Sequence, residues 1–193
     1  MRIITGKDAI FYTDSYDVVL VGTSVYNMLT NGFQSKIRFK YPNVRDANDR
    51  TGYGDLRKLG TRLTVDCGTT QVSLLYVSKF PNSRRVFVDY DAMRNALLTA
   101  RKEFNGKRIM TTVVGSTPFD GNGDKETCLS IISDCMNGVD IDVYDYEQVP
   151  RLVELEHYRK MLSGKRQTEP EKYDRMKSEW DKLMARIYLQ SQK

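Results

Sequence analysis

Residues 88–147 read VDYDAMRNALLTARKEFNGKRIMTTVVGSTPFDGNGDKETCLSIISDCMNGVDIDVYDYE. Apolar side chains recur at helical spacing over residues 89–104 and 124–136, and an Asn-Gly pair follows each of these segments. Two runs of apolar and β-branched residues, at 107–115 and 139–146, are typical of strands. Helices that alternate with strands predict an α/β domain with a mixed, mostly parallel sheet.

The first half of the chain supplies further elements of the same kind. A helix is predicted after Asn31-Gly32, because Phe33, Ile37 and Tyr41 then fall on one side. The polar, turn-rich segment 41–60 is long enough to be a functional loop rather than a simple connection. Four more strand-like runs complete the predicted sheet, at residues 2–5, 17–22, 61–67 and 71–77.

Charge and hydropathy exclude some classes of protein. The 193 residues carry a net charge of +5, and residues 149–193 hold 11 of the 30 basic residues but only 7 of the 25 acidic ones. The remainder is nearly neutral, which argues against a nucleic-acid partner. The sequence has no run of about 18 apolar residues, so we expect no membrane-spanning helix.

The cysteines and the histidine argue against a metal site. Cys67, Cys128 and Cys135 lack the spacing of metal ligands, and reduced thiols in a cytoplasm are the simplest interpretation of them. The only histidine, His157, lies in a charged segment, so we expect neither a histidine-based metal site nor a Ser-His-Asp triad. The sequence therefore predicts a cytoplasmic protein that needs no metal or cofactor.

The character of the sequence changes after residue 146. Residues 147–193 contain two helical patterns joined near Gly164, and we predict a helical hairpin that extends the domain formed by residues 1–146. Such a hairpin is expected to pack on the body or on a protein partner. Its second pattern carries one apolar stripe, formed by Tyr173, Met176, Trp180, Leu183 and Ile187.

Two loops that leave predicted strands are candidates for binding a phosphate. The second loop, residues 113–124, brings three glycines to the start of a helix that Asp124 is expected to cap. Unpaired N–H groups at a helix start favour an anion, and glycines let a phosphate approach the backbone. The loop matches none of the common phosphate motifs, so taken alone it fits a structural turn equally well. The first loop, residues 22–32, leaves its strand through small residues, and the two loops together would make a two-walled site.

The order of these elements resembles a macro domain, the ADP-ribose-binding module, over residues 1–146. Residues 27–42, NMLTNGFQSKIRFKYP, resemble the first substrate loop of the subgroup that includes terminal ADP-ribose glycohydrolase and the ADP-ribose-1''-phosphate phosphatases. The resemblance implies a three-layer α/β/α fold with a mixed, mostly parallel central sheet. The first loop lacks the asparagine-rich, triple-glycine form of many macro domains.

The resemblance also implies binding roles. Asp8 would accept a hydrogen bond from the amino group of adenine, and amides from Ser116 to Phe119 would wrap the diphosphate. In the first loop, backbone amides facing the distal ribose and α-phosphate would come from Gly22, Thr23, Ser24, Asn31 and Gly32. In the second loop, the substrate-binding residues would be Gly115, Ser116, Thr117, Pro118, Phe119, Gly121, Asn122 and Gly123.

Three residues are candidates for catalysis by the same resemblance. Lys79 matches a lysine that follows the strand at 71–77, and Asp120 or Asp124 matches an aspartate of the second loop. An aspartate could activate a water or orient a ribose hydroxyl, and a lysine could neutralise phosphate charge or act as a nucleophile. Each has a structural alternative, namely an exposed loop lysine, a turn residue and a helix cap.

The resemblance therefore predicts a protein that binds ADP-ribose or a derivative and hydrolyses it. The substrate would be ADP-ribose-1''-phosphate, O-acetyl-ADP-ribose or an ADP-ribosylated side chain. One alternative is a non-catalytic binder that senses or sequesters such a nucleotide, and another is an interaction protein that acts through residues 147–193. Lys79 with Asp120 favours hydrolysis, whereas the missing asparagine pattern favours the alternatives.

Overall fold

The computed structural model describes residues 1–30, 32–80, 85–117 and 120–145. The predicted helical extension, residues 147–193, lies outside the described residues. Within them lie four α-helices and six strands, together with three short 3₁₀-helices. The strands are β1 (Arg2–Ile4), β2 (Val18–Ser24), β3 (Arg62–Asp66), β4 (Gln71–Ser78), β5 (Ile109–Thr112) and β6 (Ile141–Tyr144). The helices are α1 (Gly32–Lys40), α2 (Pro42–Asp49), α3 (Tyr90–Glu103) and α4 (Lys125–Cys135).

The strands form one mixed sheet in the order β1-β6-β5-β2-β4-β3. Every neighbouring pair is parallel except β3 and β4, which are antiparallel. Because the parallel strands point the same way, the carboxyl ends of β1, β2, β4, β5 and β6 lie at one edge of the sheet. The predicted α/β class with a mixed, mostly parallel sheet is confirmed.

Helices cover both faces of the sheet. Alternate residues of β2 separate the two cores, because Val18 and Leu20 pack with α3 and α4 while Val19 and Val21 pack with α1 and α2. The central strand is therefore buried on both sides, which explains its continuous apolar run. This arrangement confirms the predicted three layers. No helix in the described part of the chain is long and apolar enough to cross a membrane.

The segment 41–60 differs from the prediction of a long loop. It begins with α2, which has Pro42 in its first turn, where a missing N–H costs nothing. Two side chains of this helix are buried: Val44 packs in the core, and Asn48 accepts a hydrogen bond from Tyr76 Oη at 2.8 Å. A helix anchored by one apolar and one polar side chain has too little periodicity to be recognised from the sequence.

Candidate functional site

The two candidate loops lie at the carboxyl ends of the adjacent parallel strands β2 and β5, and the second loop contacts the end of β2. A Cβ atom placed on Gly22 would lie 2.8 Å from both Asp120 Oδ2 and Val114 Cγ1. Such a distance is too short for carbon atoms, so only glycine fits between β2 and the second loop at this position. The predicted juxtaposition of the two loops is therefore present.

The start of the first loop belongs to β2 rather than to the loop. Gly22, Thr23 and Ser24 are fully buried strand residues, and the register to β4 shifts between Thr23 and Ser24. The Gly22 carbonyl accepts a hydrogen bond from Gln34 Nε2 at 2.6 Å, which ties α1 to the strand. Thr23 Oγ1 is buried and has no hydrogen-bond partner among the described residues.

The far end of the first loop leads into α1 as predicted. Gly32 is the first residue of this helix and has a φ of +56°, which glycine tolerates better than other residues. Phe33, Ile37 and Tyr41 are buried on one side, as their spacing indicated. Asn31 lies outside the described residues.

Asp120 holds the second loop together from inside. Its Oδ2 accepts the N–H of Gly115 at 2.9 Å, and its Oδ1 accepts both the N–H and the hydroxyl of Thr117, at 2.8 Å and 2.7 Å. The side chain is buried, and burial raises the pKa of Asp120 to about 6 although these hydrogen bonds lower it. The carboxylate therefore acts as an internal acceptor for the amides of its own loop.

Other amides of the second loop are also paired inside the protein. Ser116 N donates to the carbonyl of Val113, and Gly123 N donates to the carbonyl of Gly115. The carbonyl of Thr117 accepts the amides at positions 120, 121 and 122. Pro118 and Phe119 lie outside the described residues. A phosphate that used the amides of Ser116 or Thr117 would have to replace an existing hydrogen bond.

Packing against Val88 accounts for the three glycines of the second loop. A Cβ atom on Gly115, Gly121 or Gly123 would lie 2.9, 2.6 or 2.6 Å from atoms of this valine. Gly115 and Gly121 also have φ values of +84° and +144°. The glycine content of the loop is therefore explained by a neighbouring side chain and by backbone conformation, independently of any ligand.

Lys79 follows β4 and stands beside the start of α3. Its side chain is half exposed, and Nζ lies 3.2 Å from Oδ2 of Asp89, the residue that caps α3 by accepting the N–H of Ala92. The backbone joins this region to the second loop, because Phe87 N and Val88 N both donate to the carbonyl of Gly121. Lys79 is thus a predicted catalytic residue whose charged group reaches solvent near the second loop.

Asp124 caps α4, as the sequence predicted. Its Oδ1 accepts the N–H and the hydroxyl of Thr127 at 2.8 Å and 2.6 Å, and these bonds lower the pKa of the exposed carboxyl group. It is therefore ionised at neutral pH, so it can accept a hydrogen bond from a hydroxyl but is a weak base.

Asp8 follows β1 and forms a buried ion pair. Its Oδ1 accepts the N–H of Ile10 at 3.3 Å, and its Oδ2 lies 2.7 Å from Nζ of Lys36 on α1. The side chains of Asp8 and Lys36 are 0% and 6% exposed. The role of Asp8 in adenine recognition stays a prediction, and Lys36 is a residue that the sequence analysis missed. A lysine between the apolar positions Phe33 and Ile37 was the signal that could have revealed it.

A row of aromatic side chains at the same edge was also missed. Tyr26 contacts Tyr53 edge-on and stacks on Phe80, and Phe80 contacts Phe87, with ring centres 5.2–5.3 Å apart. Tyr53 is 71% exposed. Tyr26 and Tyr53 also border an open cavity of about 660 Å³ that residues of the first loop, α1 and α2 line. Phe80 and Phe87 flank the end of β4. An aromatic residue directly after a predicted strand was therefore the sequence signal that could have indicated this row.

The cysteines and acidic residues of the described segments form no group of three or more that could hold a metal ion. Cys67, Cys128 and Cys135 are free thiols, and burial raises the pKa of Cys128 to about 12. A thiol with such a pKa is a poor nucleophile at neutral pH. The predictions that no metal or cofactor is needed and that the protein is cytoplasmic stay predictions.

Neither a protein-family model nor a curated protein matches the sequence. Solved structures do match the fold. The macrodomain of Mycobacterium tuberculosis DarG has a TM-score of 0.58 at 17% identity, and the match covers 74% of this chain and 97% of that one. A macrodomain protein from Streptomyces coelicolor has a TM-score of 0.51 at 16% identity, covering 66% of this chain and 86% of that one.

Thermosipho africanus DarTG, solved in complex with ADP-ribose, has a TM-score of 0.55 at 12% identity; the match covers 75% of this chain and 40% of that one. These similarities extend over most of the described part of the chain. The chain has the macrodomain fold.

Proposed function

We propose that this chain binds ADP-ribose or a derivative of it at the carboxyl edge of its sheet. The observation that carries the proposal is the contact between the end of β2 and the second loop through Gly22, which brings the two predicted walls of the site together. Support comes from the macrodomain fold and from the ADP-ribose complex of a structural neighbour. The first-loop residues proposed to contact ligand are Gly22, Thr23, Ser24, Asn31 and Gly32.

The diphosphate is proposed to bind at the second loop. Ser116, Thr117, Pro118 and Phe119 are the residues proposed to contact it, and a phosphate that used Ser116 N or Thr117 N would replace their internal hydrogen bonds. Pro118 has no N–H to offer. The other second-loop residues proposed to line the site are Gly115, Gly121, Asn122 and Gly123.

Binding is tested by isothermal titration of the full chain with ADP-ribose. Saturable binding below millimolar concentration is the expected result, and its absence at millimolar ligand would contradict the proposal. A Gly22→Ala variant is expected to weaken binding at least tenfold, because the new methyl group displaces Asp120 and the second loop. Ser130→Ala, on the exposed side of α4, is the control that should leave the affinity unchanged.

We further propose that the bound nucleotide is hydrolysed, as in the subgroup of the glycohydrolase and the ADP-ribose-1''-phosphate phosphatases. Lys79 would neutralise phosphate charge or attack the substrate, and Asp124 would orient a ribose hydroxyl or a water. Asp120, which is buried, would act through the loop whose amides it holds. This chemistry relies on positioning and charge stabilisation and calls for no metal.

Release of phosphate from ADP-ribose-1''-phosphate distinguishes an enzyme from a protein that only binds the nucleotide. A drop of at least tenfold in kcat is expected for Lys79→Ala and Asp124→Ala, whereas the exposed Lys102→Ala on α3 should match the wild type. Wild-type turnover in both site variants would remove these residues from the mechanism. Release of ADP-ribose from O-acetyl-ADP-ribose is the parallel assay for the other substrate class.

A non-catalytic binder is the second candidate function. The internal pairing of the second-loop amides and the burial of Asp120 favour it, because no carboxylate with a raised pKa reaches solvent among the described residues of that loop. Under this alternative, ADP-ribose binds but neither ADP-ribose-1''-phosphate nor O-acetyl-ADP-ribose is consumed. The two assays above separate the alternatives.

A further inference from the structure

The first loop turns at Asn27, which has a φ of +58°. Glycine suits this left-handed conformation best, and among residues with a side chain asparagine adopts it more readily than most. The first loop has no glycine between Gly22 and Gly32, so a residue with a Cβ atom makes the turn. A backbone held in this conformation depends on the contacts that surround it.

Both polar atoms of the Asn27 side chain are bonded to the chain that follows α2. Its Oδ1 accepts hydrogen bonds from Lys58 Nζ and, at 3.1 Å, from Thr51 Oγ1, while its Nδ2 donates to the carbonyl of Thr51 at 3.0 Å. The backbone carbonyl of Asn27 accepts Nδ2 of Asn48 at 3.0 Å. Segment 48–58 therefore holds the turn, and it belongs to the stretch that the sequence predicted to be a functional loop.

The ammonium of Lys58 is the charged donor in this group of contacts. It also donates to Thr51 Oγ1 at 3.1 Å, and it lies 4.6 Å from the centre of the buried Tyr76 ring. The side chain is half-buried, and burial lowers the pKa of Lys58. A charged donor makes a stronger hydrogen bond than a neutral one, and partial exclusion of water strengthens it further. Removing this charge should therefore loosen the hold on Asn27.

A second contact ties the same segment to the first loop. Gly54 N donates to the carbonyl of Val25 at 3.0 Å, and a Cβ atom placed on Gly54 would lie 3.1 Å from the ring of Tyr26. The segment thus touches three successive residues of the first loop, at positions 25, 26 and 27. The path of the loop out of β2 is fixed from this side.

We infer that Lys58 is a positioning residue of the proposed site, which acts through Asn27 to hold the first loop in the shape that binds ADP-ribose. This inference rests on the proposed function. Asn27 precedes Asn31 and Gly32 by four and five positions, so a change in its conformation redirects the part of the loop proposed to face the ligand. A loop that is correctly shaped in only a fraction of the molecules lowers the apparent affinity by that fraction.

Isothermal titration of two charge-removing variants with ADP-ribose tests the inference. Lys58→Met removes the ammonium and is expected to raise the dissociation constant at least about fivefold. Arg57→Met removes the same charge one position earlier, from a side chain that is 91% exposed and pairs with Asp55, and should bind as the wild type does. A smaller change in Lys58→Met, or an equal change in both variants, would overturn the inference.

A double variant separates positioning from a purely structural role. Asn27→Gly keeps the left-handed backbone but removes the side chain through which Lys58 acts, so adding Lys58→Met should weaken binding by less than about threefold. A larger additional loss would show that Lys58 acts by another route and would overturn the inference. The titrations are made where urea denaturation shows each variant to be folded. A purely structural role would lower stability without changing the affinity of the folded protein.

Failure of the inference and failure of the proposed function give different results. If the wild type does not bind ADP-ribose at millimolar concentration, the proposed function is contradicted and the inference falls with it. If the wild type binds and the folded Lys58→Met protein binds equally well, the proposed function is supported and the inference alone is overturned.

Discussion

Asp120 in the second loop and Asp8 after β1 are both buried carboxylates, but their partners lie at very different sequence distances. Asp120 binds amides three and five positions away, within its own loop. Asp8 binds an ammonium 28 positions away, on the helix that follows the first loop. The second loop is therefore a locally determined unit, whereas the region around the first loop depends on the packing of α1 against the segment after β1.

The largest expected effect on stability comes from breaking the ion pair between Asp8 and Lys36. Lys36→Met keeps the volume of the side chain but leaves Asp8 buried without its counter-ion, so the free energy of unfolding is expected to fall by about 3–5 kcal/mol. Urea denaturation at pH 7 measures the change. Lys102→Met, at an exposed position of α3, is the control and should change stability by less than about 0.5 kcal/mol. Similar small losses in both variants would show that the pair contributes little to folding.

Removing the side chain of Asp120 should lower the free energy of unfolding by somewhat less. Asp120→Ala deprives the N–H groups of Gly115 and Thr117 of their acceptor, and the expected loss is about 3 kcal/mol, moderated because an unfavourably buried carboxylate also disappears. The same denaturation experiment applies. If the variant were as stable as the wild type, the loop would not depend on this carboxylate.

The pH dependence of stability isolates the charge on Asp120. Burial raises the pKa of this group from 3.8 to about 6, so between these values the folded protein binds more protons than the unfolded chain. The contribution of Asp120 protonation to the free energy of unfolding is fully present below about pH 3.8 and is lost as the pH rises through 6. Its size is up to about 3 kcal/mol, because each unit of pKa shift corresponds to about 1.4 kcal/mol.

Asp120→Asn provides the matched comparison for this titration. The difference in unfolding free energy between wild type and variant should change between pH 4 and pH 7, with the wild type losing stability relative to the asparagine protein. A difference that stays constant across this range would place the pKa of Asp120 near its ordinary value.

The smallest effect is expected at the exposed cap of α4. Asp124→Ala removes the acceptor for Thr127 N–H and should lower the free energy of unfolding by about 1 kcal/mol, whereas Asp124→Asn retains a capping oxygen and should lose little. Thermal unfolding of the two variants measures the contrast. Equal losses in both would indicate that the negative charge at the helix start, rather than the hydrogen bond, stabilises α4.

The features that sequence predicted are those that depend on neighbours along the chain. The helical spacing before Asn105-Gly106 and the cap at Asp124 are local, and both are present in the structure. The six strand-like runs correspond to the six strands, because β-branched, apolar runs suit a sheet that is covered on both faces. The order of these runs and helices resembled a macro domain, and the structure has that fold.

The features that sequence missed depend on contacts between distant segments. The Asp8–Lys36 pair requires α1 to lie against the segment after β1, and no pattern along the chain encodes that distance. The sequence predicted that the strand ends at Gly22, but β2 continues to Ser24 because β4 pairs with it that far. α2 was taken for a loop because only Val44 and Asn48 are buried in it.

Val88 has a consequence for how this molecule can evolve. Three glycines of the second loop lie against this one valine, which is outside the loop. Gly121 meets its backbone N and Cα, whereas Gly115 and Gly123 meet its methyl groups. Since Gly115 also has a positive φ, position 123 is the one at which the permitted residue is coupled to the size of the side chain at 88. Gly123 has no positive φ, so its restriction is one of space alone. A smaller residue at 88 would have to arise before an alanine at 123 could be accepted, and the order of such substitutions is thereby constrained.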